Sequence, residues 1–212
     1  MLKKTILSYF AVLGVFILLT ISCGILDNDD CGPFSNRFKT TGFDSSLKKI
    51  AITDSSRNSL QLTPIETDTI SFDEFSIQMI STGDSYTAQA NNELNFSIWS
   101  KAYACSPPLV TSDETILEIQ IFSSNDYNSE FSANENISEL FDIIVYYNAK
   151  GNQRFALNDF VSSDPEVPVQ IILLPNSAPF STDSFQFTVK YFQDGLEMDE
   201  YEFTTESIVI KN

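Results

Sequence analysis

Five stretches of the chain place apolar side chains at every second position, a period that a β-strand satisfies and an α-helix does not. In residues 93–105, Leu94, Phe96, Ile98, Ser100, Ala102 and Ala104 share one face, and Asn95, Ser97, Trp99, Lys101 and Tyr103 the other. Residues 115–123 repeat the device, with Leu117, Ile119 and Ile121 expected inward and Glu118 and Gln120 outward. Phe75, Ile77 and Met79 form a third series, and Phe185, Phe187, Val189 and Tyr191 a fourth. Asp194-Gly195 separates that fourth run from residues 198–210, where Tyr201, Phe203, Ile208 and Ile210 continue through one phase change near Thr205. Asp-Gly between two alternating runs predicts a hairpin.

Residues 167–174 are continuously apolar apart from Gln170 and are bounded by Pro168 and Pro175, which predicts a buried strand with an edge-like start. Residues 47–53, with Ile50 and Ile52 facing together, and residues 143–147 are weaker strand candidates. One helix is expected, over residues 136–142, where Ile137, Leu140 and Phe141 make a stripe and Asn136 or Ser138 caps it. About nine short strands without strand–helix alternation predict an all-β fold, an antiparallel immunoglobulin-like β-sandwich with one short helix. A single domain over residues 31–212 is expected, with a division near Pro107-Pro108 as the alternative.

The 212 residues are 42% hydrophobic and 19% charged, enough for one substantial core. Twelve basic against 29 acidic residues give a net charge of -17, which repels phosphate backbones, so no nucleic-acid partner is expected. The chain contains no histidine. It therefore lacks a Ser-His-Asp or Cys-His catalytic pair and an imidazole metal site, and neither cofactor nor metal is expected.

The first thirty residues carry an address. Lys3 and Lys4 precede an apolar run over residues 6–19, which is short for a membrane span of about 20 residues. An ordinary cleaved secretory signal is one reading. Ser22 directly before Cys23 resembles a lipobox, which makes residues 1–22 a lipoprotein signal peptide and Cys23 the acylated first residue; Thr20 stands where that motif prefers Leu. Loss of both lysines leaves a net charge of -19, so attachment to a membrane has to come from acyl chains rather than basic residues. Residues 23–30 read as an acidic tether. Asp27, Asn28, Asp29 and Asp30 resemble the export signal that takes such lipoproteins to the outer face of the outer membrane; a plain solvated linker is the alternative.

With Cys23 assigned to lipid, Cys31 and Cys105 remain, an even number in an exported chain. A disulfide between them would close a loop of about 75 residues and contribute roughly 4 kcal/mol. Free buried thiols are the alternative. Two cysteines without histidine complete no tetrahedral metal site, and neither has a base to activate it as a nucleophile.

Residues 119–141 also resemble a recurring segment of an uncharacterised Bacteroidetes lipoprotein family. In it a strand ends in Ser-Ser-Asn-Asp-Tyr-Asn, as here at residues 123–128, and a small-residue turn leads into a short helix. Ala102-Tyr103-Ala104-Cys105 with Pro107-Pro108, and the closing series around Asp194-Gly195, support the resemblance. Asn134 stands where a Gly is usual, which is tolerable because Asn also enters the left-handed region. The resemblance implies address and fold and assigns no activity.

Three ligand readings follow from the residues. Asp126, Asn128 and Glu130 alternate as calcium ligands do in an extended loop, but EF-hand spacing is absent, and such residues more often cap turns. Trp99 and Tyr103, with an outward ring from the pair Tyr146 and Tyr147, would stack on a pyranose or anchor a protein if they face solvent. Adjacent acids Asp73-Glu74, Asp113-Glu114 and Asp199-Glu200 point to opposite faces of a strand and form no acid–base pair by themselves. The expectation is a surface-exposed, lipid-anchored binding or scaffolding module, not an enzyme, attached to the membrane through Cys23 and taking a glycan or protein ligand. A carbohydrate-active enzyme or its accessory glycan-binding subunit is the alternative.

Overall fold

A computed structural model describes residues 36–54, 59–87, 111–147 and 151–212. The expected signal peptide (residues 1–22) and tether (residues 23–30), with Cys23, Cys31, Cys105 and the 93–105 series that includes Trp99 and Tyr103, lie outside the described residues. The strands are β1 (Asn36–Asp54), β2 (Ser59–Pro64), β3 (Thr69–Ser71), β4 (Phe75–Thr87), β5 (Thr111–Ser112), β6 (Thr115–Ser123) and β7 (Phe141–Tyr147). β8 (Gly151–Ala156), the five-residue α1 (Leu157–Val161), β9 (Gln170–Pro175), β10 (Asp183–Phe185), β11 (Phe187–Asp194), β12 (Glu200–Thr204) and β13 (Ile208–Lys211) follow.

The fold is all-β and sandwich-like, with mostly antiparallel sheets and one short helix. A seven-stranded sheet runs β2-β1-β4-β9-β7-β8, with β5 added parallel to β1; β12-β11-β6 and β10-β13-β3 are three-stranded sheets. The alternation explains how they pack. Ile77 and Met79 of β4 pair with Leu173 and Ile171 of β9, which pair in turn with Ile143 and Val145 of β7, and Phe75 joins them in the core. They meet Ile119 and Ile121 of β6, and Phe187, Val189 and Tyr191 of β11, in one core. Phe187 is central: its ring lies 5.3 Å from Phe75, 5.9 Å from Phe141 and 6.0 Å from Phe185. Each such buried ring contributes about 1.5–3 kcal/mol of transfer free energy.

β9 lies between β4 and β7 and sends Ile171 and Leu173 into this core and Ile172 and Leu174 to the opposite face, and burial on both faces explains its unbroken apolar run. On the second face Ile50, Ile144, Ile172 and Leu174 pack with Leu60 and Leu62. This second cluster exists because the large sheet curls until β2 and β8, the ends of its strand order, touch.

The structure corrects two expectations. Leu117 is 55% exposed, and Ile116 is buried instead. Opposite Phe192 and Gln193 the register jumps from Glu118 to Ile116, so Leu117 is the extra residue of a bulge that reverses the parity. The helix over residues 136–142 is only a 3-10 turn, Ser138–Leu140, after which Phe141 is already extended and opens β7. Asn136 Oδ1 does accept the Ser138 N–H at 3.0 Å. However, Ser138 Oγ accepts the Ile121 N–H at 2.9 Å and Ile137 N–H donates to the Ile121 carbonyl, so the turn is drawn sideways onto β6 and not into a helix. The short α-helix lies at α1, where Leu157 and Phe160 supply the buried side.

The Asp194-Gly195 hairpin joins β11 to β12, through a connection over residues 195–199 and not a two-residue turn. A Cβ on Gly195 would stand 1.9 Å from the Met198 carbonyl oxygen, so close approach of backbone requires the glycine. The phase change near Thr205 is the step from β12 into β13, in a different sheet. Thr205 marks the step by exchanging two hydrogen bonds with Phe187: its N–H reaches the Phe187 carbonyl at 2.9 Å, and its Oγ1 accepts the Phe187 N–H at 3.0 Å.

Candidate functional site

The connection from β6 to β7 and the connection from β9 to β10 lie together. The first is rich in Asn, Asp and Ser, whose side chains close turns by accepting backbone N–H groups. Asp126 Oδ1 accepts Ala133 N–H at 2.8 Å; Asn128 Oδ1 accepts Glu130 N–H at 2.8 Å and Phe131 N–H at 3.0 Å. Asn134 takes φ 63, the left-handed geometry for which Asn substitutes for Gly. Thus Asp126 and Asn128, two of the three alternating residues with calcium-like spacing, serve as backbone caps. Among the described residues no group of three His, Cys, Asp or Glu is placed to hold a metal ion.

Tyr127, fully buried between them, couples the two connections. Its hydroxyl donates to the Ser177 carbonyl at 2.9 Å, and its own carbonyl accepts the Phe180 N–H at 2.7 Å. Burial raises the phenol's pKa well above the tyrosine range, so it remains a donor at neutral pH. Further back, Asn176 N–H donates to the Leu140 carbonyl and its amide to the Glu139 carbonyl. Pro179 is buried and Phe180 beside it is 75% exposed, the most exposed large hydrophobic side chain among the described residues. A loop held at Asn176, Ser177 and Phe180 therefore fixes a bare aromatic ring in water.

That ring borders a concavity of about 570 Å³, lined also by Asn125, Asp126, Asn128, Ser129, Ser181 and Asp183. Its volume is in the range of small-ligand sites, about 300–1,000 Å³. Asp183 Oδ1 accepts Ser184 N–H at 2.7 Å, and Asn125 Nδ2 donates to the Ser184 carbonyl at 2.8 Å. The lining contains two carboxylates and no cationic side chain. A second concavity, about 460 Å³, lies beside Ser45, Lys48, Glu66, Asp68 and Phe203; it mixes charges of both signs and exposes no comparable ring.

The acid pairs are not set by strand alternation as expected: Asp73-Glu74 lies in a 3-10 turn over Phe72–Glu74, Asp113-Glu114 in the connection from β5 to β6, and Asp199 precedes β12. Glu114 is fully buried and its carboxylate accepts Thr40 N–H, Leu196 N–H and the Ser112 hydroxyl, whereas Asp113 pairs outside with Arg37 at 2.8 Å and accepts the Tyr86 hydroxyl. Glu74 pairs with Lys49 at 2.8 Å. Of the tyrosine pair, Tyr146 is 57% exposed. Trp99, Tyr103 and the three cysteines lie outside the described residues, so the structure neither brings them together nor separates them.

Sequence patterning passed over Phe180. A signal was present: residues 176–183 contain one large aromatic in a run of Asn, Ser, Pro, Thr and Asp, with no alternation to carry the ring inward. No known protein family and no characterised protein matches the chain in sequence.

Proposed function

We propose that this chain is a lipid-anchored binding module of the outer membrane, held by acylated Cys23 on an acidic tether, that presents its ligand site at the Phe180 end of the sandwich. The observation that carries the reading is the Phe180 ring, 75% exposed on a loop whose backbone is bonded to Tyr127. Exposing a ring is unfavourable by the hydrophobic effect, and fixing it there pre-organises a contact that a partner completes. The lipobox-like Ser22-Cys23 and the acidic run Asp27, Asn28, Asp29 and Asp30 support the address. The ligand is a glycan or a protein.

The carbohydrate-active alternative fits this site best as an accessory glycan-binding subunit. Each of the two carboxylates in the concavity already has one oxygen committed to a backbone N–H.

The test uses the full lipidated chain against a panel of immobilised polysaccharides and bacterial surface proteins. Wild type is expected to be retained by at least one member, Phe180→Ala to lose roughly tenfold or more in affinity, and the exposed-residue control Leu117→Ala to match wild type. Retention that Phe180→Ala leaves unchanged, or no retention at all, overturns the proposal.

A further inference from the structure

Within that reading, on which this inference rests, we infer that the Phe180 concavity takes a neutral glycan, with a pyranose ring on the Phe180 face and its hydroxyls bonded to Asp126, Asn128 and Asp183. The aromatic ring comes first. Its negative π-face attracts the slightly positive C–H face of a sugar, an apolar contact that leaves the sugar's hydroxyls at the rim.

The polar groups around the ring fit hydroxyls in both directions. Asp126 and Asp183 each spend Oδ1 on a backbone N–H and leave Oδ2 without a hydrogen bond among the described residues. Asn128 spends its oxygen on two N–H groups, which leaves its amide hydrogens to donate. Ser129 and Ser181 add hydroxyls that do either. A ligand here has to supply donors to the carboxylates and acceptors to the amide, and a polyol supplies both.

Charge narrows the class. The lining has no Lys or Arg, and the chain after residue 22 carries a net charge of -19, so sulfated, uronic or phosphorylated sugars are repelled. A cationic peptide is attracted by the same field, but clasping a guanidinium takes both oxygens of a carboxylate. Asp126 and Asp183 each already hold a backbone N–H on one oxygen, so a guanidinium would have to share that oxygen, and the guanidinium itself has no acceptor for the Asn128 amide.

The experiment is calorimetric titration of the full lipidated protein, in a detergent without a sugar headgroup. The probes are gluco-, manno-, xylo- and galacto-oligosaccharides, a heparin oligosaccharide and an oligoarginine peptide. Saturable binding of at least one neutral oligosaccharide is expected, changing less than twofold between 50 and 500 mM salt. Phe180→Ala is expected to weaken it tenfold or more, and Asp126→Asn or Asp183→Asn severalfold, since Asn keeps an oxygen for the capping N–H. Binding of only heparin or oligoarginine, or neutral-sugar binding indifferent to Phe180→Ala, overturns the inference. A protein from the panel that binds through Phe180 while every sugar fails also overturns it, yet leaves the binding-module proposal standing; loss of all Phe180-dependent binding removes both.

Discussion

Glu114 Oε2 accepts the backbone N–H of Thr40 at 2.8 Å, across 74 positions of sequence, while Oε1 accepts Leu196 N–H at 3.0 Å. One buried carboxylate thus joins β1 to the connection between β11 and β12. Removing it leaves the Thr40 N–H without a partner in the interior and the part-buried Leu196 N–H without its acceptor, and a buried donor left unpaired costs about 1–3 kcal/mol. Glu114→Ala is expected to lower stability by about 3 kcal/mol, and Glu114→Gln, which keeps one acceptor oxygen, by less. Denaturant midpoints at unchanged slope measure this. A Glu114→Ala midpoint equal to wild type contradicts the role.

Alkaline pH offers a second check. Burial raises the phenol pKa of Tyr127 and of Tyr191, with the Glu114 charge adding to the second. In the unfolded chain both ionise near pH 10, at the ordinary tyrosine value. Above that pH the unfolded state binds fewer protons than the folded one, so stability is intact below about pH 10 and falls as pH rises toward the folded values. The slope is about 1.4 kcal/mol per pH unit for each tyrosine. Tyr127→Phe is expected to lose about 1 kcal/mol at pH 7 with the Ser177 bond, and to show a shallower decline between pH 10 and 11.5. An unchanged decline contradicts the burial argument.

Alternation made the core legible because Phe75, Ile77, Met79, Phe187, Val189 and Tyr191 lie in strands whose pleat runs without interruption through them. It failed at Leu117 because a bulge is a property of two paired strands, and residues 115–123 do not reveal where β11 slips. The 19-residue β1 was read only from Leu47 onward, since its first half, with Lys39, Thr40, Thr41, Ser45 and Ser46, is held largely by backbone pairing to β4. The bulge at Thr40 and Gly42 sets Gly83 against the Lys39 carbonyl, where a Cβ would lie 2.0 Å away. Ser138 shows the same limit: its partner Ile121 is 17 positions away, beyond any local helical pattern. The site was legible in its caps, since Asp126, Asn128 and Asn134 take the turn roles their chemistry suggests. Phe180 was not, because exposure depends on how Tyr127 holds a distant loop.

The proposed Cys31–Cys105 bridge has a direct stability signature. Cys31→Ser is expected to lower the unfolding free energy under oxidising conditions by up to about 4 kcal/mol and to change nothing under reducing ones. Thiol titration of the denatured, unreduced wild type is expected to find neither cysteine free. Two free thiols contradict the bridge.

The most direct test of a lipid-anchored module is the intact mass of the protein extracted from the membrane fraction. The account predicts a chain that begins at Cys23 and carries the added mass of acyl chains, and a Cys23→Ser variant that keeps its signal peptide or leaves the membrane fraction. A wild-type chain without acyl mass, or one whose first residue lies elsewhere than Cys23, contradicts it.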